Sequence, residues 1–215
     1  MNLITLTNPQ SAAAEAYRTL RTNLHFATLD APVKTIVVTS PSAGEDKTTV
    51  LANLAVVMAQ AGKKVIAVDA DLRHSVLHEF FGLKNERGLS DMLTRGVSDG
   101  QIPLSPTSVA GLSVLTSGTA QISPLDLLDS PQMRETIKSL TSQADIVLFD
   151  SAPMIGVSDT AILASQTDGV LMVVEMGKTR RAHVQQARDL LSRAHARLLG
   201  AVTLNSTKDR DLISY

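Results

Sequence analysis

The stretch that most constrains the fold runs from Thr35 to Gln60, TIVVTSPSAGEDKTTVLANLAVVMAQ. A β-branched run, Ile36-Val37-Val38, precedes small and turn-forming residues from Ser40 to Gly44. Lys47-Thr48-Thr49 then opens an apolar helical pattern. Strand, small-residue loop, Lys-Thr and helix is the layout of a phosphate-binding loop. Backbone N–H groups at the loop and helix start surround phosphate oxygens, and the helix dipole favours their charge. Ser42, Ala43, Gly44, Glu45, Asp46, Lys47, Thr48 and Thr49 are therefore the expected nucleotide-binding residues. Lys47 would reach the outer phosphates, and the Thr48 hydroxyl would face Mg²⁺.

Two positions depart from the pattern G-x-x-x-x-G-K-[ST]. Pro41 stands at its first glycine and Asp46 at the glycine before the lysine. Asp46 places a carboxylate where the backbone should approach phosphate. Two like charges ~4 Å apart repel by about 4 kcal/mol at an effective dielectric of ~20. Aspartate tolerates unusual backbone angles, so the loop shape is expected to survive. Weakened nucleotide affinity is the expected consequence.

Downstream, two short apolar strands end in acids. Val65-Ile66-Ala67-Val68 runs into Asp69-Ala70-Asp71, and Asp145–Asp150 reads DIVLFD. In a parallel sheet these ends share the edge where open α/β sheets bind ligands. Thr48 and one or more of Asp69, Asp71 and Asp150 can hold Mg²⁺, and a remaining Asp can accept a proton. Further strands are expected at Leu112–Thr116, Val170–Val174 and Leu199–Leu204. Helices are expected at Ser11–Thr28, Lys47–Ala61, Pro131–Thr141 and Thr179–Arg197, with shorter ones at the end of Leu72–Phe81 and at Ser90–Arg95, Pro124–Leu128 and Ser158–Ser165. Residues 1–8 read as an extended lead. Alternating strands and helices with β-branched strands argue for a three-layer α/β/α fold on a mainly parallel sheet.

The remaining features set bounds. The 215 residues suit one domain, 1–215, with an N-terminal helix within 1–30 and a polar tail at 206–215. Only 3% are aromatic, so aliphatic residues must build the core. A net charge of −1 gives no global attraction to nucleic acid, and no nucleic-acid partner is expected. With no cysteine there is no disulfide framework and no thiolate site. No apolar run reaches the ~18 residues of a membrane span, and a cytoplasmic location is expected. His74 and His78 have i, i+4 spacing but no third metal ligand beside them. The basic side of the last helix, with Lys178, Arg180, Arg181, Arg188, Arg193 and Arg197, reads first as a solvated face and second as a contact for acidic lipid or another subunit.

Specific stretches now carry a family resemblance: EAYRTLRTN at Glu15–Asn23, TSPSAGEDKTT at Thr39–Thr49, VDADLR at Val68–Arg73 and IVLFDSAP at Ile146–Pro153. From Ser11 to about Ser206 the chain resembles the bacterial tyrosine kinases of capsular and exopolysaccharide biosynthesis, within the MinD/ParA-like class of P-loop ATPases. The resemblance implies ATP and Mg²⁺ as cofactors and autophosphorylation on tyrosine. It implies Lys47, Asp69 and Asp71 as catalytic residues, with Thr48, Asp71 and Asp150 at the metal. Asn205 would lie near the nucleotide base. Glu15, Arg18 and Arg21 match an E-x-x-R-x-x-R element and would form subunit contacts in a ring-like homo-oligomer. A transmembrane polysaccharide co-polymerase would activate the chain at the inner face of the membrane. Tyr215, the one tyrosine of the tail, is the phosphoacceptor candidate. Ala152 replaces the first proline of the family's D-x-P-P. Two other functions stay open: a scaffold with a blocked loop, and a positioning ATPase that hydrolyses ATP with water.

Overall fold

A computed structural model describes residues 3–95, 102–119 and 123–205. Within them, seven strands form one sheet in the order β3-β4-β2-β5-β1-β6-β7. The central strands are β1 (Thr35–Thr39), β2 (Val65–Asp69), β5 (Ile146–Asp150) and β6 (Gly169–Glu175). The flanks are β3 (Ser105–Pro106), β4 (Leu112–Leu115) and β7 (Leu198–Leu204). All neighbouring pairs are parallel except β3 with β4.

Side-chain alternation along each strand divides the core into two layers. Ile36, Val38, Val65, Ala67, Leu148 and Leu171 face α3 (Lys47–Gln60), with α2 (Ala12–Ala27) and α4 (Leu77–Phe80) on the same side. Val37, Ile66, Val68, Phe149 and Met172 face the other side. There they meet α5 (Leu89–Arg95), α6 (Pro124–Leu128), α7 (Pro131–Gln143), α8 (Asp159–Ser165) and α9 (Arg181–Arg193). This is the expected three-layer α/β/α arrangement. Every residue from Val50 to Ala59 is buried, because α2 covers the side of α3 that the sheet does not. An apolar pattern all around a helix is what such a position requires.

Local chemistry sets the helix ends. Ser11 caps α2 by accepting the Ala14 N–H at 3.2 Å, and Ser130 caps α7 by accepting that of Met133 at 3.2 Å. Two segments differ from expectation. Residues Ile4–Thr7 form a one-turn helix, α1, rather than an extended lead, because Thr5 donates both its N–H and its hydroxyl to the buried Asn53 side chain. Helix α9 is shorter at both ends. It stops at Arg193 because His195 adopts a left-handed φ of 54°, and Leu198 then joins β7. It starts at Arg181, leaving Lys178 and Thr179 on a turn before it. The tail with Tyr215 lies outside the described residues.

Candidate active site

The site lies where β1, β2 and β5 end side by side. Asp69 pairs in register with Asp150, and Val38 pairs with Asp150 on the other side. The sheet itself therefore sets two carboxylates on adjacent strand ends below the loop that follows β1. Both side chains are fully buried, and Asp71 is nearly so.

Lys47, on the first turn of α3, holds this group together. Its Nζ is 2.9 Å from Asp71 Oδ2 and 3.2 Å from Asp150 Oδ1. The Thr48 hydroxyl donates to Asp150 Oδ2 at 2.5 Å. Burial alone would lower the Lys47 ammonium, but Asp150 and Asp71 outweigh it and hold it above its ordinary value. Burial pushes the Asp150 carboxyl up, while Lys47 and the Thr48 hydroxyl pull against it. Asp69 has neither compensation. Its Oδ2 accepts from the Ser75 hydroxyl at 2.8 Å and the Leu77 N–H at 3.0 Å, and its buried Oδ1 has no partner. Burial first, then the charge of Asp150, raise its pKa from 3.8 to about 7.

The loop lies over a cavity of about 600 Å³, bounded by Ala43–Thr49 on one side and by Asp71, His74, Val76, Phe80 and Pro153 on the other. That volume suits a nucleotide-sized ligand. Gly44 has a φ of 85°, a backbone region that side chains rarely adopt. Glu45 turns inward, accepting the Ser42 N–H at 3.0 Å and the Thr179 hydroxyl at 2.6 Å. Asp46 is exposed at the N-cap of α3 and makes no side-chain capping bond. The expected repulsion from Asp46 therefore acts from the rim, not from inside the loop. Thr49 is half-buried, and its carbonyl accepts the Asn53 side-chain N–H at 2.9 Å within α3.

The donor set fits Mg²⁺ and phosphate. It is oxygen-only, as a hard cation requires, and one acid oxygen of Asp69 is buried and unpaired. Among the described residues no group of three or more acids or histidines forms a closed metal cage. That suits a cation that uses one or two carboxylates and completes its shell with water and phosphate.

Other expected residues fall around this centre. Asn205, with a φ of 57°, donates to Glu175 at 3.0 Å, and Glu175 pairs with Lys178 at 2.7 Å. Lys178 in turn donates to the Gly44 carbonyl, which links Asn205 to the loop. Glu15 pairs with Arg18 at 2.8 Å on exposed α2, whereas Arg21 turns toward α3 and donates to the Val57 carbonyl at 3.3 Å. His74 precedes α4, so it does not share a helix face with His78. Ala152, at the replaced proline, accepts the Thr39 and Thr160 hydroxyls through its carbonyl.

Three features escape sequence reasoning. Arg73 forms a two-pronged pair with Asp159 on α8, at 2.6 and 3.1 Å, which ties down the loop carrying Asp71 and Ser75. Ser75 covers Asp69. The turn before α9 reaches the phosphate-binding loop. Arg73 lies in the VDADLR stretch, but nothing in the sequence points to Asp159 as its partner.

Known proteins match this architecture. The AAA domain family matches residues 33–198. The tyrosine-protein kinase YwqD of Bacillus subtilis (strain 168) is 40% identical over 201 residues, 94% of this chain and 84% of the relative. The putative tyrosine-protein kinase EpsB of Ralstonia solanacearum is 37% identical over 90% of this chain, which spans only 26% of that longer protein. Among solved structures, the kinase domain of Escherichia coli tyrosine kinase ETK superposes with a TM-score of 0.89 at 30% identity, covering 96% of this chain and 82% of that one. The cell division ATPase MinD of Pyrococcus furiosus follows at 0.69 and 25%, covering 82% and 74%. With its strand-end acids, its Lys47-Thr48 loop and these likenesses, the chain belongs to the AAA domain family and, within it, to the bacterial tyrosine-protein kinases.

Proposed function

We propose that this chain transfers the terminal phosphoryl group of Mg-ATP to tyrosine hydroxyls, its own tail included, in capsular or exopolysaccharide synthesis. The observation that carries the reading is Lys47 bridging Asp71 and Asp150 while Thr48 bonds Asp150. Phosphoryl transfer needs little covalent help from the protein and depends on positioning and charge. Lys47 binds the outer phosphates, with the backbone of residues 42–49 around them. Thr48, Asp150 and Asp71 hold Mg²⁺, which when bound neutralises charge on the phosphates. Asp69 is the base for the tyrosine hydroxyl, because a pKa of about 7 suits proton acceptance near neutral pH. Asn205 lies on the side of the nucleotide base.

Tyr215 is the acceptor. Tyr17 is unsuited to the role: burial first, then the Asp46 charge, push its hydroxyl up to about 12. Glu15, exposed on α2, and the half-buried Arg18, with Arg21, form contacts in a homo-oligomer. Among the described residues no helix is long and apolar enough to cross a membrane. A transmembrane co-polymerase would place the chain at the inner face of the membrane.

The test incubates the full chain with Mg-ATP and reads phosphotyrosine by mass spectrometry, beside Lys47→Met and Tyr215→Phe. Phosphotyrosine that is lost in Lys47→Met and reduced in Tyr215→Phe is the expected result. Release of phosphate from ATP without phosphotyrosine would instead identify a positioning ATPase. Absence of nucleotide binding would leave a scaffold.

A further inference from the structure

The glycine that normally precedes the P-loop lysine is Asp46 in this chain, and the structure shows a cation close to the same loop that the nucleotide-binding reading leaves unused. Residues 175–183, from the end of β6 through the turn to the start of α9, touch the phosphate-binding loop at three points. The Lys178 ammonium donates to the Gly44 carbonyl, the Thr179 hydroxyl donates to Glu45 at 2.6 Å, and His183 Nδ1 is 2.8 Å from the Ser42 hydroxyl. Gly177, with a φ of 81°, makes the turn that presents Lys178. The Lys178 side chain is so near that a Cβ on Gly44 would meet its Cε and Nζ at 3.9 Å.

We infer that Lys178 is a positioning residue of the phosphate-binding loop, which offsets the Asp46 carboxylate so that the loop accepts an anionic phosphate. The inference rests on the proposed nucleotide binding. Two physical effects support it. P-loop carbonyls face away from the ligand, and a cation on the Gly44 carbonyl polarises the Gly44–Glu45 peptide, making the Glu45 N–H a stronger donor. The same cation lies within the field of the acids at the rim. Its ammonium is held above its ordinary value by the Glu175 hydrogen bond first, with the charges of Glu175, Asp46 and Glu45 adding to it. Lys178 makes no contact with phosphate in this account; it acts through the Gly44 peptide and through Asp46.

The experiment titrates a fluorescent ADP analogue with Mg²⁺ into the full chain and into Lys178→Met, Asp46→Gly and the double variant. Residues that act through one another show non-additive effects. With Asp46 present, Lys178→Met should weaken binding about tenfold; with Asp46→Gly it should weaken it less than about twofold. Lys178→Arg should keep most of the affinity, because the charge remains. Equal weakening in both backgrounds, or none in either, overturns the inference and leaves nucleotide binding intact. Binding by Asp46→Gly but not by the unmodified chain also overturns it, since Lys178 would then have failed to offset Asp46. Absence of binding in every variant overturns the proposed function along with it.

Discussion

Asp69→Asn should make the folded chain more stable above neutral pH while removing its activity. Asp69 is fully buried, shares a sheet register with Asp150, and leaves one carboxylate oxygen without a partner. Its pKa rises from 3.8 to about 7, with burial as the main cause. The folded state therefore binds a proton that the unfolded chain releases between those values. The stabilisation from that proton is fully present below about pH 4 and is lost as pH rises through about 7. Moving the pKa by this much costs about 4 kcal/mol once the group is ionised. An asparagine keeps the acceptor used by Ser75 and Leu77, places an amide toward the acids and never ionises. Shifts of Asp150 and entry of water trim the difference, so a gain of about 2 kcal/mol or more at about pH 8.5 is expected. The gain should shrink toward pH 5. The chain has no Trp, so the assay is urea unfolding followed by far-ultraviolet circular dichroism at both pH values. Equal stability of the two proteins at pH 8.5, or a gain that does not depend on pH, would refute the reasoning.

Two other perturbations follow from single contacts. Asp159→Asn removes the charge that Arg73 grips on α8, so the loop over Asp69 should loosen. Phosphotyrosine formation should fall about tenfold or more with a smaller change in nucleotide affinity, read from kcat against KM. Asn53→Ala removes the acceptor of both Thr5 bonds, and stability should fall by about 1–3 kcal/mol with early proteolytic cleavage before α2.

The fold was legible where sequence period and strand chemistry agreed. Ile36-Val37-Val38, the run ending in Asp69 and the run ending in Asp150 are strands buried on both faces, and such strands show as unbroken apolar runs. Their acids sit at strand ends, so a parallel sheet was enough to gather them. Contacts between distant loops were not legible. Arg73 with Asp159 spans 86 positions, and Lys178 with Gly44 spans 134. With arginines as its neighbours, Lys178 reads in the sequence as part of the basic face of the last helix; Gly177 and the cap at Arg180 put it on the preceding turn instead. The Ile4–Thr7 turn was missed for a similar reason. A side chain 48 positions away, Asn53, supplies its anchoring bonds. Local pattern reads periodicity, whereas these bonds depend on how the sheet brings the loops together.

The strand-end acids run against stability, and that conflict marks them as functional. Carboxylates on neighbouring parallel strands repel, and burial raises the energy of the charged form further. A sheet needs only β-branched residues at those ends, as Thr39 at the end of β1 shows. The structure compensates selectively. Asp150 receives Lys47 and Thr48, and Asp71 receives Lys47 and the His74 N–H. Asp69 receives two neutral donors and no cation, and burial first, then the charge of Asp150, raise its pKa to about 7. One lysine thus serves two acids and leaves the third near the pH at which a base works. Titratable groups pushed apart by unequal environments divide the labour of a site. On the proposed reading, the same division would have Lys47, Asp71 and Asp150 supply charge for phosphate and metal, and Asp69 the proton acceptor.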